Sequence, residues 1–255
     1  MRLRGYAPDD AWAIAEIEAL CNLTDPLALY YRRIQGNNNN YDDGIKDERR
    51  NWTAYVTSCQ RFQEMKLLQP GTICHVLEER DELSSHAEQQ DGGNYDSVIV
   101  GFTIWTRVGK SEVARRWQKR GRRWSTRLRA VAHYLGIALY YPLDSTIDRR
   151  RMSQVYPIIS QPPVDVDPNK LSPERWEIDA MYTHPRCQRR GFGTQALQWG
   201  LDQATRERVP VLVKSTSRGY HLYCRAGFRS VGSLDFGGLF DPGEPGMHLM
   251  LWEPG

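Results

Sequence analysis

The chain has 255 residues, 40% of them hydrophobic and 25% charged, with a formal net charge of +3. That is ordinary water-soluble composition, long enough for one large domain with a sizeable core or for two small ones. The charge is too small to argue for nucleic acid. No run of eighteen apolar residues is present, so no membrane span and no membrane partner are expected.

In chain order, residues 1–5 read as a short strand, and Ala7-Pro8-Asp9-Asp10 as a turn with an aspartate to cap a helix. That helix runs from Asp10 to about Leu23, with Ala11, Ile14, Ile17 and Leu20 on one face. A second helix is expected over Leu27–Ile34, then a polar loop over Gly36–Gly44 that holds four asparagines in a row. Asp47 to about Met65 is again helical, and Thr72–Glu78 and Ser97–Arg107 read as strands joined by a polar loop around Ser84–Asn94.

From Val108 to Glu174 the pattern changes. Lys110–Arg129 holds nine Lys or Arg against one Glu, with Trp117 and Trp124 interleaved, and Ala130–Tyr141 is apolar and helical. One reading of the basic stretch is a solvated helix face anchored by tryptophans. The other is a lid whose basic face meets phosphates, an acidic substrate or RNA. Pro157, Pro162, Pro163, Pro168 and Pro173 then predict a stiff, extended connector.

The last third is more regular. Trp176–Thr183 and Val209–Lys214 read as strands, Gly193–Glu207 and Ser217–Ala226 as helices, the second ended by Gly227. Phe228–Leu234 and Met247–Trp252 read as an antiparallel pair. The five cysteines show no metal or redox spacing and are expected to be reduced thiols of a cytoplasmic protein, since residues 1–6 lack the apolar core of a secretory signal. No metal site is expected. The whole, residues 1–255, is read as one α/β domain with an insertion at about 108–174.

Between the Trp176 strand and the following helix lies Gln188-Arg189-Arg190-Gly191-Phe192-Gly193-Thr194. A Gly-bearing turn from strand into helix leaves backbone N–H groups unpaired at the positive end of the helix dipole, where they attract phosphate. Arg186, Arg189 and Arg190 add charge. The six-residue dinucleotide fingerprint is absent, and Gly193-Thr194 has no lysine as a nucleotide-triphosphate loop requires. The residues therefore describe a cradle for the diphosphate of some other carrier.

Gln188-Arg-Arg-Gly-Phe-Gly193, followed at helix–strand–helix distance by Tyr223-Cys-Arg-Ala-Gly-Phe228, resembles the GNAT superfamily of N-acetyltransferases over Glu177–Gly232. Ala180–Pro185, Trp199-Gly200 and Gly219-Tyr220 resemble its filamentous-fungal members, Cys187 standing where these often carry an aromatic. The resemblance implies a mixed, mostly antiparallel sheet splayed at the cofactor site, helices on both faces, and acetyl-coenzyme A as donor. Its pyrophosphate would rest on Gln188, Arg189, Arg190, Gly191, Phe192, Gly193 and Thr194. Its pantetheine arm would lie between the Trp176 and Val209 strands, against the backbone of Met181 and Thr183, with the Met181 N–H a candidate for the thioester oxygen. Tyr182, Ser215 and Tyr220 complete the residues expected near the donor.

The resemblance also implies Tyr223 as the acid that protonates the departing thiolate, and Glu177 as base, with Asp179 its rival on the same strand face. The acceptor is expected to be the primary amine of a small metabolite or xenobiotic. A protein or peptide amine, and a coenzyme A-binding protein without transfer, are the alternatives. Trp12, Tyr30, Tyr31, Trp52, Trp105, Trp117 and Trp124 fall on segments expected to wall the acceptor side, and an aryl amine is favoured if several line it. Oligomeric state is left open.

Overall fold

The structure, a computed structural model, describes residues 2–33, 41–80, 97–163, 166–167, 171–239 and 246–255, with the backbone alone at 41–49, 80 and 120. Strand β1 (Arg2–Gly5) leads into helices α1 (Ala11–Asn22), α2 (Pro26–Tyr31) and α3 (Tyr41–Leu67), then strands β2 (Thr72–Arg80) and β3 (Ser97–Val108). The insertion folds as α4 (Glu112–Arg122), α5 (Trp124–Tyr140) and α6 (Arg149–Ser160). After it come β4 (Arg175–Thr183), α7 (Phe192–Glu207), β5 (Val211–Thr216), α8 (Ser217–Arg225), β6 (Arg229–Leu234) and β7 (Met247–Trp252).

The strands make one mixed sheet in the order β1-β2-β3-β4-β5-β7-β6. Only β4 and β5 run parallel; the other neighbours are antiparallel. Alternation along β3 sends Phe102 and Ile104 to one face, where they meet Ile14 and Ile17 of α1. Trp105 goes to the other face, where it meets Trp176 of β4 and Leu197 and Leu201 of α7. Helix α3 covers α1 through Tyr55, Val56 and Cys59, against Ala15 and Ala19.

Four tryptophans key α7 and α4 onto the sheet. Trp105, Trp117, Trp176 and Trp199 meet edge to face at centroid distances of 5.2–6.5 Å. Gly200 is what lets α7 approach: a β-carbon there would stand 2.1 Å from the fully buried ring of Trp105. Beneath this cluster Arg107 is buried, bonded through Nε to Glu207 at 2.7 Å and through Nη2 to Glu174 at 2.9 Å. Burial alone would push the Glu174 carboxyl up, but hydrogen bonds from Ser111, Lys110 and Arg107 outweigh it and pull it down to about 2.

Three expectations are corrected. Tyr41–Gly44 is not loop but the first turn of α3. The asparagine run and the 84–94 loop lie outside the described residues. Pro157 does not begin an extended connector but lies inside α6. Asp148 caps that helix by accepting from the N–H groups of Arg150 and Arg151. Val155, Ile158 and Ile159 pack with Leu234, Phe236 and Tyr31, and this burial offsets the hydrogen bond that proline cannot make. Pro162, Pro163 and Pro173 lie outside helices and strands, and Pro168 is outside the described residues. Finally, β5 starts two residues later than expected; Pro210 precedes it, and its carbonyl accepts from Trp176 N–H at 2.9 Å.

Candidate active site

The parallel pair β4 and β5 is joined only at Trp176–Val211, Glu177–Leu212 and Ile178–Val213. Beyond that point each strand keeps its outer partner. Strand β4 stays on β3 as far as Thr183–Gly101, and β5 stays on β7 as far as Thr216–Met247. The inner edges, 179–183 and 214–216, therefore part and leave unpaired backbone facing a gap, as the splayed sheet was expected to do. A bulge starts the parting: Ile178 pairs with Trp105 and Ala180 with Ile104, so Asp179 is an extra residue.

At the open end of the gap the chain turns into α7. Arg189 (φ +63°) and Gly191 (φ +87°) both lie in the left-handed region. For a non-glycine this costs on the order of 1 kcal/mol, and with Gly191 it produces the concave run of N–H groups that binds anions. Gly191 is the N-cap of α7, with no side chain capping it. The N–H groups of Phe192, Gly193 and Thr194 thus have no acceptor within the helix. The Phe192 side chain is buried with Leu77, Val100 and Ala196, pinning the turn from behind. A β-carbon on Gly191 would enter open space. Bare N–H groups, a helix N-terminus, three arginines and an adjoining gap between strands suit a diphosphate with a pantetheine arm.

Three elements converge at Gly193. Its α-carbon is set so that a β-carbon would lie 3.1 Å from Leu222 of α8 and 4.0 Å from the sulfur of Met181 on β4. Tyr223, next to Leu222, is buried in the α7-side core with its ring 5.3 Å from Phe228. Burial pushes its hydroxyl well up, so it holds its proton throughout the neutral range.

On the other face of the sheet stand the two acids. Glu177 is paired to Arg175 at 2.6 Å. Asp179 accepts from the Thr106 hydroxyl at 2.5 Å, and that hydroxyl lies 3.0 Å from Thr72 Oγ1. Asp179 reaches solvent, yet protein surrounds it on most sides, and the loss of solvation pushes its carboxyl up; Thr106 and Lys66 oppose the shift and Glu177 adds to it. Lys66 of α3 donates to the Asp179 carbonyl at 3.4 Å. From the β5 side, Lys214 donates to the carbonyls of Ile159 and Gln161 at 2.7 and 2.9 Å, tying the end of α6 beside the gap.

Several expected contacts are placed elsewhere. The Thr183 carbonyl already accepts from Cys21 Sγ and Gln188 Nε2, both at 3.2 Å, so the Gln188 side chain is turned to the strand. The Tyr182 ring stacks on Phe102 in the α1-side core, 5.4 Å between centroids, leaving only its backbone for the gap. Ser215 is buried and donates to the Thr216 carbonyl. Tyr220 packs on His248 at 4.8 Å, and Arg190 reaches Glu79 at 3.4 Å.

The aromatic wall also needs correction. Trp105 and Trp117 belong to the α7-side core, Trp52 packs on Tyr55 at 6.0 Å, and Trp12 and Trp124 are exposed. Nor is the basic stretch a lid over phosphates. Trp117 of α4 donates to Glu207 at 2.8 Å, at the C-terminal end of α7, about 24 Å by helix rise from Gly191. Sequence reading missed Thr106, Lys66 and Lys214; only Lys214, a charge inside an otherwise apolar strand, was visible as an anomaly. Among the described residues no three His, Cys, Asp or Glu are placed to hold a metal ion, and no helix is long and apolar enough to cross a membrane.

Residues 95–228, more than half of the chain, match the model of the Acetyltransferase (GNAT) family. The chain belongs to that family. GNAT proteins use acetyl-coenzyme A, and the cradle and gap described above fit it. A comparison with curated proteins finds no match. Among solved structures, the chain is similar to a histone acetyltransferase and related acetyltransferase from Corynebacterium glutamicum, at 17% identity and a TM-score of 0.51, covering 99% of this chain and 96% of that one. It is also similar to an acetyltransferase from Kribbella flavida (12% identity, TM-score 0.46, covering 99% and 96%). A third is yncA of Salmonella typhimurium, solved with its cofactor acetyl-CoA (14%, 0.43, 99% and 93%).

Proposed function

We propose that this GNAT protein transfers the acetyl group of acetyl-coenzyme A to the primary amine of a small molecule, within a ternary complex. The observation that carries the proposal is the parting of β4 and β5 beside the uncapped N-terminus of α7. Residues 189–194 bind the diphosphate through backbone N–H groups, and the free edges of β4 and β5 orient the pantetheine arm much as an added strand would. The bound donor supplies an activated acyl thioester. Met181, on the free edge of β4, offers its N–H to the acyl oxygen.

In the net reaction a C–N bond forms and a C–S bond breaks. The amine gives up a proton, and the sulfur takes one. Tyr223, kept protonated by burial, donates to the sulfur. Asp179 takes the proton of the amine, in preference to Glu177. Glu177 is held by Arg175, whereas the Asp179 carboxyl is solvent-reachable and shifted toward neutrality, as a base requires. With the tryptophans away from the gap, the preference for an aryl amine loses its support. Two carboxylates favour an amine that arrives as a cation, which a lysine or N-terminal amine of a peptide would also satisfy.

The test is release of free thiol from acetyl-CoA across a panel of amines, followed as a function of pH. Because burial raises the Asp179 carboxyl, the base form exists only above that raised value. Activity should be lost as the pH falls through it, above the ordinary aspartate value of about 3.9. Asp179→Asn should remove most activity at every pH. The same shift has the opposite sign for stability: the folded state favours the protonated form, so stability declines as the pH rises from the unfolded aspartate value to the raised one. An unaltered profile in Asp179→Asn would return the role to Glu177 or to water.

A further inference from the structure

Helix α5 faces the protein with its more polar side. Thr126, His133, Ile137 and Tyr140 turn inward, His133 Nε2 lying 2.9 Å from the Arg61 carbonyl and the Arg61 guanidinium 3.9 Å from the centre of the Tyr140 ring. Outward, at helical spacing, stand Trp124, Leu128, Val131, Leu135 and Leu139, followed by Leu143. Trp124 and Leu139 are each 75% exposed and Leu143 81%. The ridge from Trp124 to Leu139 is about 22 Å long by helix rise, and contiguous exposed apolar surface of this kind marks an interaction site.

The charges carried by the chain between Glu112 and Asp144 are all of one sign. Between Val113 and Leu143 the sequence has eight Lys or Arg and no Asp or Glu. Arg122 and Arg123 sit at the Trp124 end, and Arg127 and Arg129 flank the ridge on opposite sides; all four are exposed. We propose that α5 rests on an anionic lipid surface, with the Trp124–Leu139 ridge in the acyl–headgroup boundary and the four arginines on lipid headgroups. A convex apolar ridge with Trp and Tyr beside it and arginines that can snorkel outward suits a yielding, negatively charged plane. Nucleic acid would answer the arginines but leave the aliphatic ridge uncovered. A second copy packed ridge to ridge would bring arginine rims together with no carboxylate on either α5 to meet them. The proposal revises the expectation that no membrane is involved. That expectation rested on the lack of a spanning segment, which a surface-bound helix does not need.

Co-sedimentation of the full chain with vesicles tests it. The protein is expected to partition at least about tenfold more onto phosphatidylcholine–phosphatidylserine vesicles than onto phosphatidylcholine alone, and to be released by high salt. Leu128→Glu with Leu135→Glu should lower binding by about tenfold or more at an unchanged melting temperature, since both side chains are exposed. Should that variant fold poorly, Arg127→Gln with Arg129→Gln should weaken binding to the anionic vesicles only. The proposal is overturned if the parent stays in the supernatant, or if the Leu128→Glu/Leu135→Glu variant sediments like the parent. It is equally overturned if that variant instead dissociates a dimer, or abolishes retention of an oligonucleotide, with vesicle binding unaffected.

Discussion

Tyr223→Phe is expected to lower the turnover of acetyl transfer by at least about tenfold, and by up to the 10²–10⁴ range typical of a lost general acid, with the affinity for acetyl-CoA nearly unchanged. Phe keeps the ring that packs on Phe228 at 5.3 Å, so the α7-side core and the position of α8 are preserved. Only the hydroxyl is lost. Its burial keeps it protonated at neutral pH, so it is available as a donor in each turnover. Single-turnover kinetics with a fixed amine, beside a binding isotherm for the donor, separate the two effects. Turnover equal to that of the parent would take Tyr223 out of the mechanism and leave it a core residue.

Arg107→Met should produce the largest loss of stability, about 2–3 kcal/mol, because it removes a buried guanidinium and leaves two half-buried carboxylates without their cation. Arg107 is 2% exposed and is shared by Glu207 and Glu174, which belong to α7 and to the last residues of the insertion. One guanidinium thereby ties the helix of the phosphate cradle to the segment entering β4. The denaturant midpoint should fall sharply with little change in slope, and adding Glu207→Gln should restore part of the loss. Glu174 has a pH signature of its own, set against the effect of burial mainly by the bonds it accepts from Ser111 and Lys110 and less by Arg107. Its carboxyl is depressed to about 2, so its contribution is complete above the ordinary glutamate value and disappears as the pH falls from there toward 2. Unchanged stability in Arg107→Met would mean that neither carboxylate depends on it.

Local chemistry made the cofactor half of the molecule readable in advance. The turn at 188–194 declares itself through Gly191, Gly193 and the arginines, and the strands on either side of α7 through apolar runs. What could not be read depends on tertiary packing. Pro157 inside α6 is tolerated because Val155 and Ile159 find an apolar partner surface that no local pattern reveals. Trp105 and Trp117 could serve a cleft or a core equally well; only Gly200 opposite Trp105 decides, and that pairing spans 95 residues of sequence. The preference for Asp179 over Glu177 rests on the ion pair that holds Glu177 to Arg175 and on the packing that desolvates Asp179. Alternation alone makes the two acids equivalent.

Thermal unfolding with and without acetyl-CoA measures most directly whether the turn into α7 grips the donor. At a concentration a hundredfold above Kd, binding adds about 2.7 kcal/mol, a rise in Tm of about 5–11 °C for a chain of this length. Gly193→Asp should lose the rise, because its carboxylate stands where the diphosphate would; its β-carbon, 3.1 Å from Leu222, requires a small shift of that side chain, so the unliganded Tm should fall slightly. A parent protein whose Tm does not move at millimolar acetyl-CoA, or a Gly193→Asp variant that responds as the parent does, would contradict the account.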